Sequence, residues 1–132
     1  MQIDIDPDSE VPIYQQLRDR IVEAIAAGDL PAGTPLASVR QLAAAFGINL
    51  ATVAKGYDLL RREGLVRTNR RSGSVVARDA ASGPPAAPFA DTWTPRLRTL
   101  VAEAVAQGMG DASIAAAVTA ELARLHSSKG TP

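Results

Sequence analysis

Cysteine is absent from this 132-residue sequence, and histidine occurs once, as His126. Without cysteine the chain can form neither a disulfide nor a thiolate metal site, which suits a reducing cytoplasm. Long apolar runs are also missing, since none approaches the roughly 18–20 residues of a membrane span. The acidic start MQIDIDPDSE differs from the basic, apolar start of a signal peptide. These absences predict a soluble, cytoplasmic protein.

Residues suited to catalysis are equally scarce. His126 is a poor candidate for a general base because it stands in a polar C-terminal stretch. P-loop, dinucleotide-binding and nucleophile-elbow motifs do not occur. A metal site would have to consist of carboxylates alone, and we expect the acidic cluster Asp4, Asp6 and Asp8 to be a flexible, solvated segment. We therefore predict a protein that is not an enzyme and that uses no cofactor or metal.

Net charge is zero over the whole chain but is divided unevenly along it. Residues 1–34 carry two basic and seven acidic side chains, a net charge of −5, and residues 79–132 carry four against five, a net charge of −1. The middle block, residues 35–78, carries eight basic side chains against two acidic ones, a net charge of +6. A basic block inside a neutral protein indicates a face that meets a polyanion, although a solvated charged face is the alternative.

Three helices are predicted before residue 65. The first follows Pro12, has an apolar stripe and ends near Gly28. Ser38 can cap a short second helix that ends at Gly47, with Val39, Leu42 and Phe46 facing inward. Asn49 can cap a third helix that ends at Gly64, with Val53, Tyr57 and Leu60 on its buried side. The few residues between the second and third helices predict a helix-turn-helix.

A basic hairpin is predicted after the third helix. LVRTN and SVVAR read as two short strands around RRSG. Three helices followed by a hairpin are the order of elements in a winged helix-turn-helix, which we assign to residues 1–78. The fold class predicted is therefore mainly α with a small β-hairpin wing. The arginines of RRSG would lie at the tip of that wing, within reach of a phosphate backbone.

The C-terminal third is predicted to be a linker, residues 79–93, followed by a helical segment, residues 94–132. The first tail helix is expected at about 94–107, beginning at Thr94-Pro95, and the second at about 111–126. Two such helices cannot bury a core of their own, so we expect a dimer, with packing on the first domain as the alternative. Trp93 would anchor the first tail helix on either partner. The predicted dimerisation residues are the apolar ones of both stripes: Leu97, Leu100, Val101, Ile114, Val118, Leu122 and Leu125.

Several motifs within residues 10–78 resemble one family. PIYQQL, GDLPAGTPL, SVRQLA, N-x-x-T-V-x-K-x-Y-x-x-L and R-x-E-G-L-V together resemble the N-terminal domain of GntR-type bacterial transcription regulators, and most of all the YtrA branch. That branch carries a short helical C-terminal segment used for dimerisation, which matches the tail. The resemblance implies DNA contacts at Arg40, Asn49, Thr52 and Gly73. With the basic side chains of the same region, the predicted DNA-binding residues on the second and third helices and the wing are Ser38, Arg40, Asn49, Thr52, Lys55, Arg62, Arg70, Arg71 and Gly73.

The predicted roles differ among those residues. Arg40 would contact a base or phosphate, unless it only pairs with Asp58 or Glu63. Asn49 and Thr52 would contact DNA from the start of the recognition helix, a role compatible with capping. Gly73 would let the wing backbone approach the minor groove. Lys55, Arg62, Arg70 and Arg71 would neutralise phosphates and so determine affinity and its salt dependence.

Four departures from the family pattern matter. Ala37 stands where proline is usual, Leu50-Ala51 where proline-asparagine is usual, Gly56 where alanine is usual, and Arg71 where the wing usually has its first glycine. Losing a polar side chain at Ala51 removes one base or phosphate contact. The operator of a relative therefore cannot be assumed for this chain.

The function predicted is a homodimeric transcription regulator, a repressor, that binds double-stranded DNA at an inverted-repeat operator. Its activity could also depend on an unidentified small-molecule effector, since nothing in the sequence names one. The alternative is a winged helix that docks proteins or binds RNA, because fold alone does not decide function. Basic residues on both the third helix and the wing favour DNA.

Overall fold

The computed structural model describes residues 3–127, so the parts of the assignments above that fall on residues 1–2 and 128–132 lie outside the described residues. The predicted fold class is confirmed: mainly helical, with one two-stranded antiparallel hairpin. The elements in chain order are α1 (Ile13–Ala26), α2 (Val39–Phe46), α3 (Leu50–Arg62), β1 (Val66–Asn69), β2 (Gly73–Val76), α4 (Ala87–Ala106) and α5 (Asp111–Ser127).

The core of the winged domain lies between α1 and α3. Leu17 and Ile21 of α1 and Val53, Tyr57 and Leu60 of α3 are fully buried there. The two helices approach closely at Gly56, where an added Cβ would lie 3.1 Å from both Leu17 Cδ2 and the carbonyl oxygen of Tyr14. Close packing thus explains a glycine that otherwise costs about 1 kcal/mol of helix propensity.

The acidic N-terminal segment is fixed on this core, which corrects the expectation of a flexible stretch, although Asp4, Asp6 and Asp8 are exposed to solvent as expected. Ile3 is buried in the core. The Gln16 side chain accepts from the backbone N–H of Asp6 at 2.8 Å and donates to the carbonyl oxygens of Asp6 and Val11 at 2.9 and 2.8 Å. A buried amide that satisfies three backbone groups holds the segment to α1.

The second and third helices form the predicted helix-turn-helix. Gly47 ends α2 in the left-handed conformation, φ +63°, as the tight turn requires. Tyr57 ties the two helices together because its hydroxyl donates to the carbonyl oxygen of Ala37 at 2.6 Å. Phe46 is 37% exposed rather than inward-facing. It is the last residue of α2, and Ala43, one turn earlier, takes the buried position instead.

The hairpin pairs Val66 with Val76 at its base and Asn69 with Gly73 at its tip. Its strand β2 has a second neighbour, the loop before α2. There Leu36 N–H donates to Ser74 O at 2.8 Å and Val76 N–H donates to Thr34 O at 2.9 Å. The base of β2 is therefore held from both sides by main-chain hydrogen bonds.

The first tail helix begins at Ala87, so the prediction that it begins at Thr94-Pro95 is wrong, and residues 87–93 of the predicted linker are helical. Pro95 lies inside α4, where it removes one backbone hydrogen bond without ending the helix. Pro88, in the first turn, has the N-terminal position that suits proline. The second tail helix, α5, agrees with its predicted range.

The two tail helices contact each other but bury none of their residues within the described chain. Trp93 is 47% exposed and Leu100 is 63% exposed. Neither helix therefore buries its apolar stripe against the winged domain, as the alternative of packing on the first domain required. Their apolar stripes remain open to solvent in a single chain.

Candidate nucleic-acid interface

The start of α3 presents a mixed polar and apolar surface. Asn49 caps the helix, since its side-chain oxygen accepts the backbone N–H of Ala51 at 2.7 Å. Thr52, one residue later, is half-buried. Leu50 is 45% exposed and Ala51 is exposed. The N–H groups of Ala51 and Thr52 both donate to Asn49, so in this turn the N–H group of Leu50 is left for an anionic group.

The start of α2 is joined to α3 by the hydrogen bond from the Tyr57 hydroxyl to the carbonyl oxygen of Ala37. Ser38 forms a capping box: its hydroxyl accepts from Gln41 N–H at 3.0 Å, and its own N–H donates to Gln41 Oε1 at 2.9 Å. Arg40 is exposed, and within residues 3–127 its side chain forms no ion pair or hydrogen bond. The position expected to read DNA is therefore held on a rigid helix start with a free guanidinium group.

Both carboxylates that could have paired with Arg40 have other partners. Asp58 accepts from Arg61 Nη1 at 2.6 Å. Glu63 accepts from Arg18 of α1, whose Nε lies 3.0 Å from Glu63 Oε1. This hydrogen bonding raises the pKa of Arg18 above its usual value. The structure thus removes the interpretation of Arg40 as half of a surface ion pair.

The wing tip carries Arg70 and Arg71, both exposed. The turn between the strands is closed by Asn69, whose side-chain oxygen accepts the backbone N–H of Arg71 at 2.8 Å. Gly73 has φ +73°, a conformation that favours glycine, and an added Cβ would meet nothing within 4 Å. Backbone geometry therefore requires this glycine independently of any contact with DNA.

Lys55 and Arg62 differ in their surroundings. Lys55 Nζ lies 4.0 Å from the centroid of the Tyr14 ring, so its ammonium group rests on α1 in a cation–π contact. Arg62, near the end of α3, is exposed and unpaired within the described range. Ser38, Arg40 and the start of α3 belong to the helix-turn-helix. Arg70, Arg71 and Gly73 lie apart from them, on the wing.

Two arginines of the basic block, Arg67 and Arg61, are not among the predicted DNA-binding residues but lie in the same region. Arg67 on β1 is exposed and has no internal partner among residues 3–127. Arg61 binds the wing: its Nε donates to Thr68 Oγ1 and its Nη2 to Ser74 Oγ, both at 3.1 Å. Arg67 could have been found from its position in the basic strand. The contacts of Arg61 depend on hairpin register, which a single sequence does not reveal.

Burial raises the pKa of Tyr57 to about 12, while the positive charge of Arg61 acts in the opposite direction. The neutral phenol is therefore the form that supports the α2–α3 contact across the physiological range.

Among residues 3–127, no group of three or more acidic or histidine side chains is arranged to hold a metal ion. No helix in the described part of the chain has the length and apolarity needed to cross a membrane.

The helix-turn-helix, the hairpin and the basic surface define a winged helix-turn-helix protein. Residues 13–76 match the family of bacterial regulatory proteins named gntR. The HTH-type transcriptional repressor YtrA of Bacillus subtilis is 34% identical over 124 residues, which are 94% of this chain and 86% of that protein. This chain belongs to the GntR family of transcriptional regulators.

Solved structures give the same result. YtrA from Sulfolobus acidocaldarius, a GntR-family transcription factor, is 36% identical with a TM-score of 0.62, over 79% of this chain and 97% of that one. A transcriptional antiterminator from Listeria monocytogenes EGD-e superimposes with a TM-score of 0.82 over 90% of this chain and 88% of that one. At 24% identity, this second likeness shows the fold alone. The names of these relatives describe transcriptional regulators rather than enzymes, which confirms the prediction that this chain is not an enzyme.

Proposed function

We propose that this chain is a sequence-specific, DNA-binding transcriptional repressor that acts as a homodimer in the cytoplasm. One observation carries the proposal: five of the eight basic side chains of residues 35–78 are free within the described residues, whereas the nearby carboxylates are neutralised internally. Asp58 and Glu63 are both paired with arginines. Five arginines of residues 35–78 have no partner within the described chain: Arg40, Arg62, Arg67, Arg70 and Arg71.

Free guanidinium groups of this kind suit a phosphate backbone. Each neutralised phosphate releases counterions, so affinity falls with salt by a slope of about 0.9 per contact. Arg70 and Arg71 on the wing supply such contacts. Arg40, on the shorter helix, is placed to contact a base edge or phosphate next to the recognition helix, where a bidentate bond to guanine is worth about 1–3 kcal/mol of discrimination.

Sequence is read at the start of α3. The N-terminal residues of a recognition helix contact base edges in the major groove. Asn49 has its side-chain oxygen engaged in the cap, which leaves its amide N–H₂ to donate to a base or phosphate. Leu50 is 45% exposed, and its side chain suits the C5-methyl group of thymine.

Dimerisation is supported by the open apolar stripes of the tail. In α4 the residues Phe89, Trp93, Leu97, Leu100 and Ala104 recur at intervals of three or four and so share one face. In α5 the same spacing joins Ile114, Val118, Leu122 and Leu125. The exposed members of these stripes are Phe89, Trp93, Leu100, Val118 and Leu122. Their exposure in the single chain leaves a second copy as the economical partner, since a two-fold axis packs each stripe on its equivalent.

A two-fold dimer requires an operator with matching symmetry. Two recognition helices would enter successive major grooves, so the half-sites of an inverted repeat would be about 10 bp apart, centre to centre. The Bacillus subtilis relative is named a repressor, and exclusion of polymerase from an occupied operator is the simplest way for this chain to act as one.

Selection from a pool of random duplexes tests the proposal. The full chain is incubated with the pool at several salt concentrations, and the bound fraction is sequenced. We expect enrichment of an inverted repeat with half-sites about one helical turn apart. Enrichment of a single half-site would overturn the proposal that the chain binds as a homodimer. Weak binding without enrichment of any sequence would favour the protein-docking alternative. A parallel single-stranded RNA pool distinguishes the RNA-binding alternative.

A further inference from the structure

Arg61 is the side chain through which α3 binds both strands of the wing. Its Nε donates to Thr68 Oγ1 on β1 and its Nη2 donates to Ser74 Oγ on β2, at 3.1 Å each. Thr68 and Ser74 are directly paired across the hairpin. One planar guanidinium group therefore spans a cross-strand pair with two different nitrogens, a fixed fork geometry that lysine, with one nitrogen, does not reproduce.

The remaining attachments of the hairpin leave this pair as the last fixed point before the tip. Main-chain bonds from the loop before α2 hold β2 as far as Ser74, through Leu36 N–H. On β1, the side-chain bond from Arg61 to Thr68 lies one residue from Asn69, which pairs with Gly73 at the tip. The turn that carries Arg70 and Arg71 begins immediately beyond it.

Asp58 fixes the third side of the guanidinium group, at 2.6 Å from Nη1. Asp58 lies one turn earlier on α3, so the pair locks Arg61 against its own helix while the other two nitrogens reach the wing. With all three nitrogens engaged, Arg61 differs from the free arginines around it and is not available for phosphate.

We propose that Arg61 is a positioning residue that fixes the wing tip relative to the recognition helix, so that Arg71 reaches the DNA backbone while the start of α3 occupies the groove. The inference rests on the proposed function. It separates the basic block into arginines that contact DNA and one that aligns them.

A double-mutant cycle tests this role. Arg71→Ala is measured in the wild-type chain and in an Arg61→Lys background, because lysine keeps the positive charge and loses the fork. Affinity for the selected operator is titrated over a salt series. In the wild type we expect Arg71→Ala to lower the salt slope by about 0.9, the value of one phosphate contact. In the Arg61→Lys background we expect less than half of that change.

Two further variants separate positioning from stability. Asp58→Asn removes the charge of the intrahelical pair but keeps an acceptor oxygen for Arg61 Nη1 and leaves both wing acceptors, so we expect the full effect of Arg71→Ala to persist in it. Thr68→Val removes the acceptor on β1 while Arg61 remains, and we expect it to reduce the effect of Arg71→Ala as Arg61→Lys does. Thermal unfolding of each full-length variant sets a temperature at which all are folded. If Arg61→Lys does not fold, Thr68→Val provides the cycle.

An undiminished effect of Arg71→Ala in both the Arg61→Lys and Thr68→Val backgrounds would overturn the positioning role and leave the proposed function intact. A wild-type chain that binds no duplex at any salt concentration would overturn the proposed function, and this inference with it. An effect of Arg71→Ala that is reduced in the Arg61→Lys and Thr68→Val backgrounds, and unchanged in the Asp58→Asn background, supports the positioning role of Arg61.

Discussion

Replacing Tyr57 by phenylalanine tests how the two helices of the helix-turn-helix are held together. The ring is fully buried, and its hydroxyl donates to the carbonyl oxygen of Ala37 at 2.6 Å. Phenylalanine keeps the ring and its packing and removes only the hydroxyl. Ala37 directly precedes Ser38, the cap of α2, so the lost bond is the one that joins α3 to the start of the preceding helix.

The magnitude follows from the two parts of that loss. A neutral hydrogen bond contributes about 0.5–1.5 kcal/mol net, and leaving its acceptor partly buried without a partner adds to the cost. We therefore expect Tyr57→Phe to lower the free energy of unfolding by about 1–2 kcal/mol. Urea denaturation followed by circular dichroism measures this change, with the slope of the transition unchanged.

The contribution of Tyr57 to the free energy of unfolding should depend on pH. Burial raises the pKa of Tyr57 to about 12, above the value of about 10 for an unfolded chain. The folded state therefore keeps its proton where the unfolded state loses it, so this contribution is complete below pH 10 and is lost as the pH rises through 12. The difference in stability between wild type and Tyr57→Phe should shrink over that window. Equal stability of the two proteins at pH 7, or a difference that does not change between pH 9 and 12, would refute the reasoning.

Three other substitutions follow from the packing and the site. Leu100→Glu should give a monomer in sedimentation velocity without unfolding the chain, because Leu100 is 63% exposed within one copy; a dimer would contradict the tail interface. Gly56→Ala should lower stability by about 1 kcal/mol in urea, since overpacking against Leu17 and Tyr14 outweighs the gain in helix propensity; a more stable variant would show that α1 moves freely. Replacing operator thymines by deoxyuridine should weaken binding by the wild type and not by Leu50→Ala, because burial of a methyl group is worth about 0.8 kcal/mol; equal losses would remove Leu50 from base reading.

Local signals explain what could be predicted from the sequence. Caps and glycines act over a few residues, so Ser38, Gly47 and Asn49 mark the ends of α2 and α3 correctly. The hairpin was predicted for the same reason, from alternating strands around a short basic turn. The start of α4 was missed because Pro95 is typical of a first turn, although the helix continues through it from Ala87.

Other features depend on contacts between distant parts of the chain. The N-terminal segment is ordered because Gln16 bonds to Asp6, ten residues away, and because Ile3 reaches the core. The cation–π contact of Lys55 requires the close approach of α1 and α3. The sequence shows Lys55 and Arg61 only as two positive charges on one helix, and the packing distinguishes a cation on an aromatic ring from a guanidinium bound to the wing.

The free arginines on α2 and on the wing have different roles in the proposed function: Arg40 gives preference for the operator, and Arg71 gives affinity for any duplex. The measurement is a salt-series titration of wild type, Arg40→Ala and Arg71→Ala against the selected operator and a scrambled duplex. We expect Arg40→Ala to lose the preference for the operator, and Arg71→Ala to weaken both duplexes alike while lowering the salt slope by about 0.9. Equal losses of affinity by both variants on both duplexes, or wild-type binding that does not change with salt, would contradict this division of roles between Arg40 and Arg71.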